Sequence, residues 1–184
     1  MILGILASAI RAANAALSYD PYFDKVTALL HLDGADGSTT ITDVTGRVWG
    51  AYSGAKLGTA NPKFGTAALD LVGQASGEAN TTRLFTEAKN HTFGSRDFTV
   101  ELFARQNRVD ARAGVLAAVD YEDSGSSSAW RAWSIAIDGN GRPYARISSD
   151  GTSFTKLLSN AVVPVEGYYH YALVRKGGLV RLFV

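Results

Sequence analysis

The sequence predicts an all-β fold, an antiparallel β-sandwich, with one amphipathic α-helix ahead of it. Short apolar segments recur at short spacing after Pro21, and several of them alternate apolar with polar residues. Nineteen glycines against four prolines, together with repeated Asp-Gly pairs, indicate many tight turns. No long internal segment has the periodicity of a helix. We therefore expect about ten strands, packed as two sheets.

The composition limits the classes of function. The chain has 184 residues, of which 46% are apolar and 19% charged, so it can bury a core and does not have a disordered composition. The net charge is only +1 and no run of Lys and Arg forms a patch, so we expect no nucleic-acid partner. Cysteine is absent, which excludes disulfides, thiolate metal sites and a Cys nucleophile.

Residues 1–19 differ from the rest of the chain and predict a docking or oligomerisation helix. Apolar side chains recur at three- and four-residue spacing, which predicts one helix face and an assembly interface made of Leu3, Leu6, Ile10 and Leu17. Pro21 disfavours helical angles at Asp20, so the helix should end just before it. A helix this short is marginal alone, so its apolar face needs a partner.

Two other interpretations of this segment stay open. One is a secretory leader, since Ala-Asn-Ala at residues 13–15 looks like a cleavage site. However, the segment has no basic n-region, and Arg11 interrupts the apolar stretch. The other is packing against its own domain. We expect no membrane span, because the apolar stretch is too short and carries a charge.

The predicted strands cover residues 26–32, 47–52, 67–72, 98–105, 115–119, 130–137, 142–148, 168–175 and 179–184. The cleanest alternation is in residues 98–105, where Phe98, Val100, Leu102 and Ala104 fall on one face. Lys176-Gly177-Gly178 predicts the turn of a final hairpin. In that hairpin the expected core residues are Ala172, Val174 and Leu182.

Two groups of residues suggest binding chemistry. The loop-rich segment after the first predicted strand carries three carboxylates that suit a calcium ion, although Asp-Gly pairs are common turn formers and the turn interpretation is the simpler one: Asp33, Asp36 and Asp43. A second group predicts a sugar platform of stacking indoles and hydrogen-bonding groups: Trp130, Arg131, Trp133 and Asp123. Their spacing puts the two indoles on opposite faces of a strand, so at most one is exposed. The histidines lack metal-ligand spacing, and we expect His170 to be structural. No other cofactor is expected.

Four segments, in order, resemble the laminin-G-like, concanavalin A-like jelly-roll domains, particularly those of tailed-phage virion proteins. They are residues 20–46, KFGTAALDLVG (63–73), FGSRDFTVELFAR (93–105) and YYHYALVRKGGLVRLFV (168–184). The resemblance implies one domain over residues 20–184, with two stacked antiparallel sheets and ligand loops along one edge. Such domains continue beyond the last hairpin, so this one is expected to lack its last strands. A neighbouring chain would then supply the missing edge, or the chain is part of a longer protein.

Jelly rolls of this superfamily include glycosidases, which need two carboxyl groups about 5 to 9 Å apart. Glu101 lies on a predicted strand, but its same-face neighbours Thr99 and Phe103 cannot act as the second carboxylate. We therefore expect no enzyme activity.

The predicted function is that of a structural or adhesion protein of a phage virion, either capsid decoration or a tail or fibre component. The helix would dock into the particle, and the jelly roll would project outward and bind glycans. Its expected partners are other virion proteins, further copies of itself and a cell-surface glycan. The alternative is a carbohydrate-binding module of a secreted or cell-surface bacterial protein, with residues 1–17 as its leader.

Overall fold

The computed structural model describes residues 20–71, 82–86, 91–107, 114–121, 130–150 and 153–184. The predicted N-terminal helix, with Leu3, Leu6, Ile10 and Leu17, lies outside these residues, so it stays a prediction. The chain divides into two compact units, Met1–Glu87 and Ala88–Val184, and each is treated by itself. Within the described ranges, no helix is both long enough and apolar enough to cross a membrane.

The described residues of the first unit form a short 3-10 helix and four three-residue strands. The helix is Phe23–Lys25, and the strands are β1 (Gly50–Tyr52), β2 (Lys56–Gly58), β3 (Ala68–Asp70) and β4 (Arg83–Phe85). β1 pairs antiparallel with β4, and β2 pairs antiparallel with β3. The core of this unit is small: buried Ile41, Leu57 and Ala67, with Leu30 and Trp49 among the side chains packed on them.

The predicted strand at residues 26–32 is wrong. Only Leu30 is paired there, in an isolated bridge to Asp43. The neighbouring backbone groups have other partners: the Leu29 N–H donates to Asp43 Oδ1, and the Leu29 carbonyl accepts from the Val44 N–H. The Asp43 side chain therefore accepts one of the hydrogen bonds that a strand neighbour would accept, and backbone pairing does not extend beyond a single bridge. An apolar run alone does not distinguish these two arrangements.

Where the structure describes it, the second unit has seven longer strands: β5 (Phe98–Arg105), β6 (Gly114–Tyr121), β7 (Trp130–Ile137), β8 (Pro143–Ile147), β9 (Thr155–Leu158), β10 (Tyr168–Lys176) and β11 (Leu179–Phe183). They form a three-stranded sheet of order β11-β10-β5 and a four-stranded sheet of order β6-β7-β8-β9. Every pairing is antiparallel. The predicted all-β, antiparallel fold class is confirmed.

One hydrophobic cluster lies between these two sheets. Trp133, Ile135 and Ile137 enter it from β7, and Tyr171 and Leu173 enter it from β10. The β5 side chains packed against the cluster are those predicted for the apolar face: Phe98, Val100, Leu102 and Ala104. Side chains of both sheets thus share one core, as in a β-sandwich.

The predicted hairpins have the expected turns. Gly177 and Gly178 join β10 to β11 with φ of +57° and +82°, the two left-handed positions of a tight hairpin. In the β7–β8 turn, Asp138 Oδ1 accepts from the N–H groups of Asn140 and Arg142. The Arg142 N–H is the main reason that the pKa of Asp138 is lowered.

The core assignment in the last hairpin needs a correction. Leu182 packs on the core cluster as predicted. Ala172 is buried as predicted, at 6% exposed, but Ala172 and the partly buried Val174 lie on the other face of β10, because they alternate with Tyr171 and Leu173, which fill the cluster between the sheets. Every residue from 171 to 174 is apolar, so the sequence does not show which face is inward.

Candidate functional site

The outer side of the three-stranded sheet combines aromatic, acidic and imidazole side chains. In the β10–β5 ladder, His170 lies directly opposite Phe103, and Ala172 lies opposite Glu101. Directly opposite residues share a sheet face, and diagonal neighbours are within reach of long side chains. We call this surface, with the β11 residue Phe183, the Phe103 face.

The centre of the Phe103 face is a three-residue cluster. The Phe103 and His170 rings lie 4.7 Å apart between centroids and are tilted by 31°. The His170 Nε2 is 3.3 Å from the Glu101 Oε2, an ion pair when the imidazole is protonated. Phe103 is 40% exposed, and the His170 and Glu101 side chains are 40% and 45% exposed. Part of an apolar ring and two hydrogen-bonding groups are therefore exposed to solvent together.

The third strand extends this surface. Phe183 lies opposite Ala172 in the β10–β11 ladder and is 51% exposed. The small side chain of Ala172 thus lies between Glu101 on one neighbouring strand and Phe183 on the other. Aromatic rings with a few fixed polar groups are the usual lining of sites for organic ligands. For sugars, the rings contact the C–H faces and the polar groups bond the hydroxyls.

The predicted sugar platform is not on this face. Trp133 is 7% exposed and belongs to the core between the sheets. Its indole N–H donates a 3.0 Å hydrogen bond to the His91 carbonyl, and its ring stacks near Phe93. Trp133 therefore offers no free ring face to a sugar, which corrects the prediction for this residue.

The other members of that platform are described only in part. Trp130 and Arg131 open β7, where their backbones lie opposite Tyr121 and Asp120, beside a register shift in β6. Their side chains and the whole of Asp123 lie outside the described part of the chain. Their predicted role stays a prediction.

The predicted calcium ligands do not converge. Asp33 Oδ1 accepts from the Thr66 N–H at 2.6 Å, and Asp36 Oδ1 accepts from the Thr59 N–H at 3.0 Å. Each carboxylate thus ties one loop to another. Across the ranges that the structure describes, no three His, Asp or Glu side chains lie close enough to hold a metal ion. The grouping of Asp33, Asp36 and Asp43 as one metal site is therefore wrong.

Asp43 has a structural role of its own. Its two carboxylate oxygens accept from the Leu29 N–H, the N–H and hydroxyl of Thr45, and the indole N–H of Trp49. Burial alone would raise the pKa of Asp43, but the hydrogen bonds from Trp49, Thr45 and Leu29 outweigh it and lower the pKa. The negative charge is therefore a fixed part of the first unit.

Comparison with known families identifies the second unit. The chain belongs to the concanavalin A-like lectin/glucanases superfamily, whose family model matches residues 78–184. This range includes the whole second unit and hence the Phe103 face. Comparisons with curated proteins and with solved structures find no match.

Proposed function

We propose that the protein is a non-catalytic glycan-binding domain, and that the Phe103 face is its sugar site. The observation that carries this proposal is the half-exposed Phe103 ring beside the His170–Glu101 pair. Membership of a superfamily of lectins and glucanases supports a saccharide as the class of ligand.

The chemistry of the cluster suits a neutral sugar ring. The Phe103 ring would pack on the apolar C–H face of the sugar, and we take this contact to be worth as much as a pair of aromatic rings, about 1 kcal/mol. The Glu101 carboxylate would accept from hydroxyls, and the imidazole of His170 would donate to or accept from them. The contact between Glu101 and His170 orients both groups before a ligand arrives, which lowers the entropic cost of binding.

The same geometry argues against a glucanase. Hydrolysis needs a carboxylic acid and a second carboxylate across the scissile bond. In the ladders of β5, β10 and β11, as far as the structure describes them, Glu101 is the one carboxylate on the Phe103 face. Its near neighbour is an imidazole. Binding without cleavage is therefore the proposed activity.

The proposed setting is the exterior of a tailed-phage virion, with the N-terminal helix docked into the particle. The support is sequence resemblance, chiefly in residues 20–46, and the apolar spacing of residues 1–19. Other virion proteins and further copies of the chain are the proposed partners. A secreted or cell-surface bacterial binding module would use the same Phe103 face without the docking helix.

Two substitutions in the full chain test the helix. Leu6→Glu and Ile10→Glu place charges on its apolar face, and Ser8→Glu places one on its polar face. Light scattering should show self-association of the wild type and of Ser8→Glu, and its loss in the other two. Equal masses for all four proteins would contradict the docking role.

A glycan microarray tests the sugar site. We expect binding by the full chain and at least a fivefold weaker signal for Phe103→Ala, since about 1 kcal/mol is lost. Phe64→Ala removes a phenylalanine of similar exposure, 48%, from the first unit and serves as the matched control. Incubation of a bound glycan with the protein should release no shorter product. Equal binding by both variants would contradict the site, and cleavage would contradict the non-catalytic assignment.

A further inference from the structure

The outer side of the four-stranded sheet places two cations against each other. Arg146 on β8 lies directly opposite Lys156 on β9. Like charges at directly opposite positions destabilise a sheet, whereas opposite charges at such positions stabilise it. The pair therefore requires an explanation other than sheet stability.

Both cations lie over a single aromatic ring. The Lys156 Nζ is 4.4 Å from the centroid of the Tyr144 ring, and the guanidinium carbon of Arg146 is 5.3 Å from it. Tyr144 is two residues before Arg146 on β8, so the two share the face, and it is only 5% exposed. Cation–π attraction to this ring holds both charged groups in place. We call these three residues the Tyr144 site.

In the part of the chain that the structure describes, neither cation of the Tyr144 site has a carboxylate partner. Within the described ranges, Arg146 and Lys156 make no ion pair and no side-chain hydrogen bond. The nearby Arg142 differs, because it pairs with Asp138 at 3.1 Å. Lys25 likewise pairs with Asp24. Two oriented cations without a counter-charge form a ready site for an anion.

We propose that the Tyr144 site binds the carboxylate or sulfate group of an acidic sugar. The Arg146 guanidinium would donate two parallel hydrogen bonds to the anion, and the Lys156 ammonium would add a point charge. The bound anion would also remove the repulsion between the two cations. The choice of a saccharide rests on the proposed function. A nucleic acid fits less well, since the chain has a net charge of only +1 and no extended basic stripe.

The test is titration calorimetry of the full chain with three oligosaccharides of one length: a uronate, a sulfate ester and a neutral sugar. We expect the acidic oligosaccharides to bind at least tenfold more tightly than the neutral one. Arg146→Gln and Lys156→Met should each lose that advantage, and Lys176→Met, an exposed lysine at the end of β10, should keep it. The uronate and sulfate titrations identify which anion is preferred. Equal affinity for acidic and neutral sugars, or full affinity in both variants, would overturn the proposal.

Lys156→Glu gives a second and independent readout. The introduced carboxylate would face Arg146, so the sheet should gain a favourable cross-strand pair while the anion site is lost. We expect a Tm higher than that of Lys156→Met, which loses the same cation–π contact with Tyr144, together with loss of acidic-sugar binding. A Tm no higher than that of Lys156→Met would contradict the cross-strand charge interaction argued above. If acidic sugars still bind the Phe103→Ala variant but not Lys156→Met, the Tyr144 site stands, and loss of the neutral sugar in Phe103→Ala then tests the Phe103 face separately. The reverse result would retain only the Phe103 face.

Discussion

The Trp49 indole N–H donates a 2.8 Å hydrogen bond to the Oδ2 of Asp43. The residue Asp43 is only 6% exposed. Asp43→Ala would leave this N–H and the backbone N–H groups of Leu29 and Thr45 without their acceptor. We expect a loss of about 3 kcal/mol in the stability of the first unit. Hydrogen exchange of peptides covering residues 27–49 measures this loss of stability. Asp24→Ala, an exposed acid in the 3-10 helix, should exchange like the wild type.

Acid should weaken the same unit. The pKa of Asp43 lies below its ordinary value of 3.8, so the unfolded chain takes up this proton more readily than the folded one. The contribution of Asp43 to stability is complete above pH 3.8 and is lost as the pH falls through the folded pKa. Protection of residues 27–49, taken as the ratio of the intrinsic to the observed exchange rate, should therefore fall below pH 4 more in the wild type than in Asp43→Asn. Parallel profiles in the two proteins would contradict the charged role of Asp43.

A matched pair of substitutions tests the close approach of Gly65 to Asp33 in the first unit. Gly65 has φ of +63°, and a Cβ there would lie 2.0 Å from the Asp33 Oδ1. Gly37 has φ of +76°, but a Cβ there meets no atom within 4 Å. Gly37→Ala should cost only the left-handed strain, about 1 kcal/mol. Gly65→Ala should cost more, because the Asp33–Thr66 contact must also shift. Equal costs in urea unfolding would show that this contact is weak.

The last hairpin offers a test of the core. Leu173 is fully buried between the sheets, whereas Leu179, in the same hairpin, is 59% exposed. Leu173→Ala should lower the free energy of unfolding by about 3 kcal/mol. Leu179→Ala should change it by less than about 0.5 kcal/mol. Chemical denaturation measures both. Similar losses in the two variants would mean that the face of β10 has been assigned wrongly.

Alkaline pH should destabilise the second unit through Tyr171. Burial, followed by the nearby Tyr169, raises the pKa of the Tyr171 phenol from 10.0 to about 12. The unfolded chain therefore loses this proton first, and stability that is complete below pH 10 falls as the pH rises through 12. Tyr171→Phe should reduce the loss of stability between pH 10 and pH 12. Tyr22→Phe, which changes a tyrosine that is 72% exposed, should keep it.

Local patterns predicted the local structure well. The alternation in residues 98–105 matches β5 and its buried face, and the Gly177-Gly178 turn follows from the need for two left-handed residues. Three short strands were missed: β2, β4 and β9. Their segments of three or four residues are too short to show a period. The strand predicted at residues 26–32 failed because the Asp43 side chain supplies the hydrogen bond that a neighbouring strand would have made.

The candidate site was only partly predictable. The alternation in residues 98–105 predicts that Glu101 and Phe103 share one face, but it does not identify a partner that would give the pair a function. The partner is His170, which is predicted as structural but lies on the same surface, half-exposed. This contact depends on the register between strands more than 60 residues apart in sequence, which no local pattern specifies. The Arg146–Lys156 pair was not predictable for a different reason: Lys156 lies on β9, a strand of four residues that is too short to show a period.

The most direct test of the central claim is an NMR titration that follows the ring signals of Phe103 and His170 as a glycan from the array is added. The account predicts that both shift with one midpoint, while Phe64 in the first unit and buried Trp133 do not move. Shifts at Phe64 with unmoved Phe103 and His170 signals would contradict glycan binding at the Phe103 face.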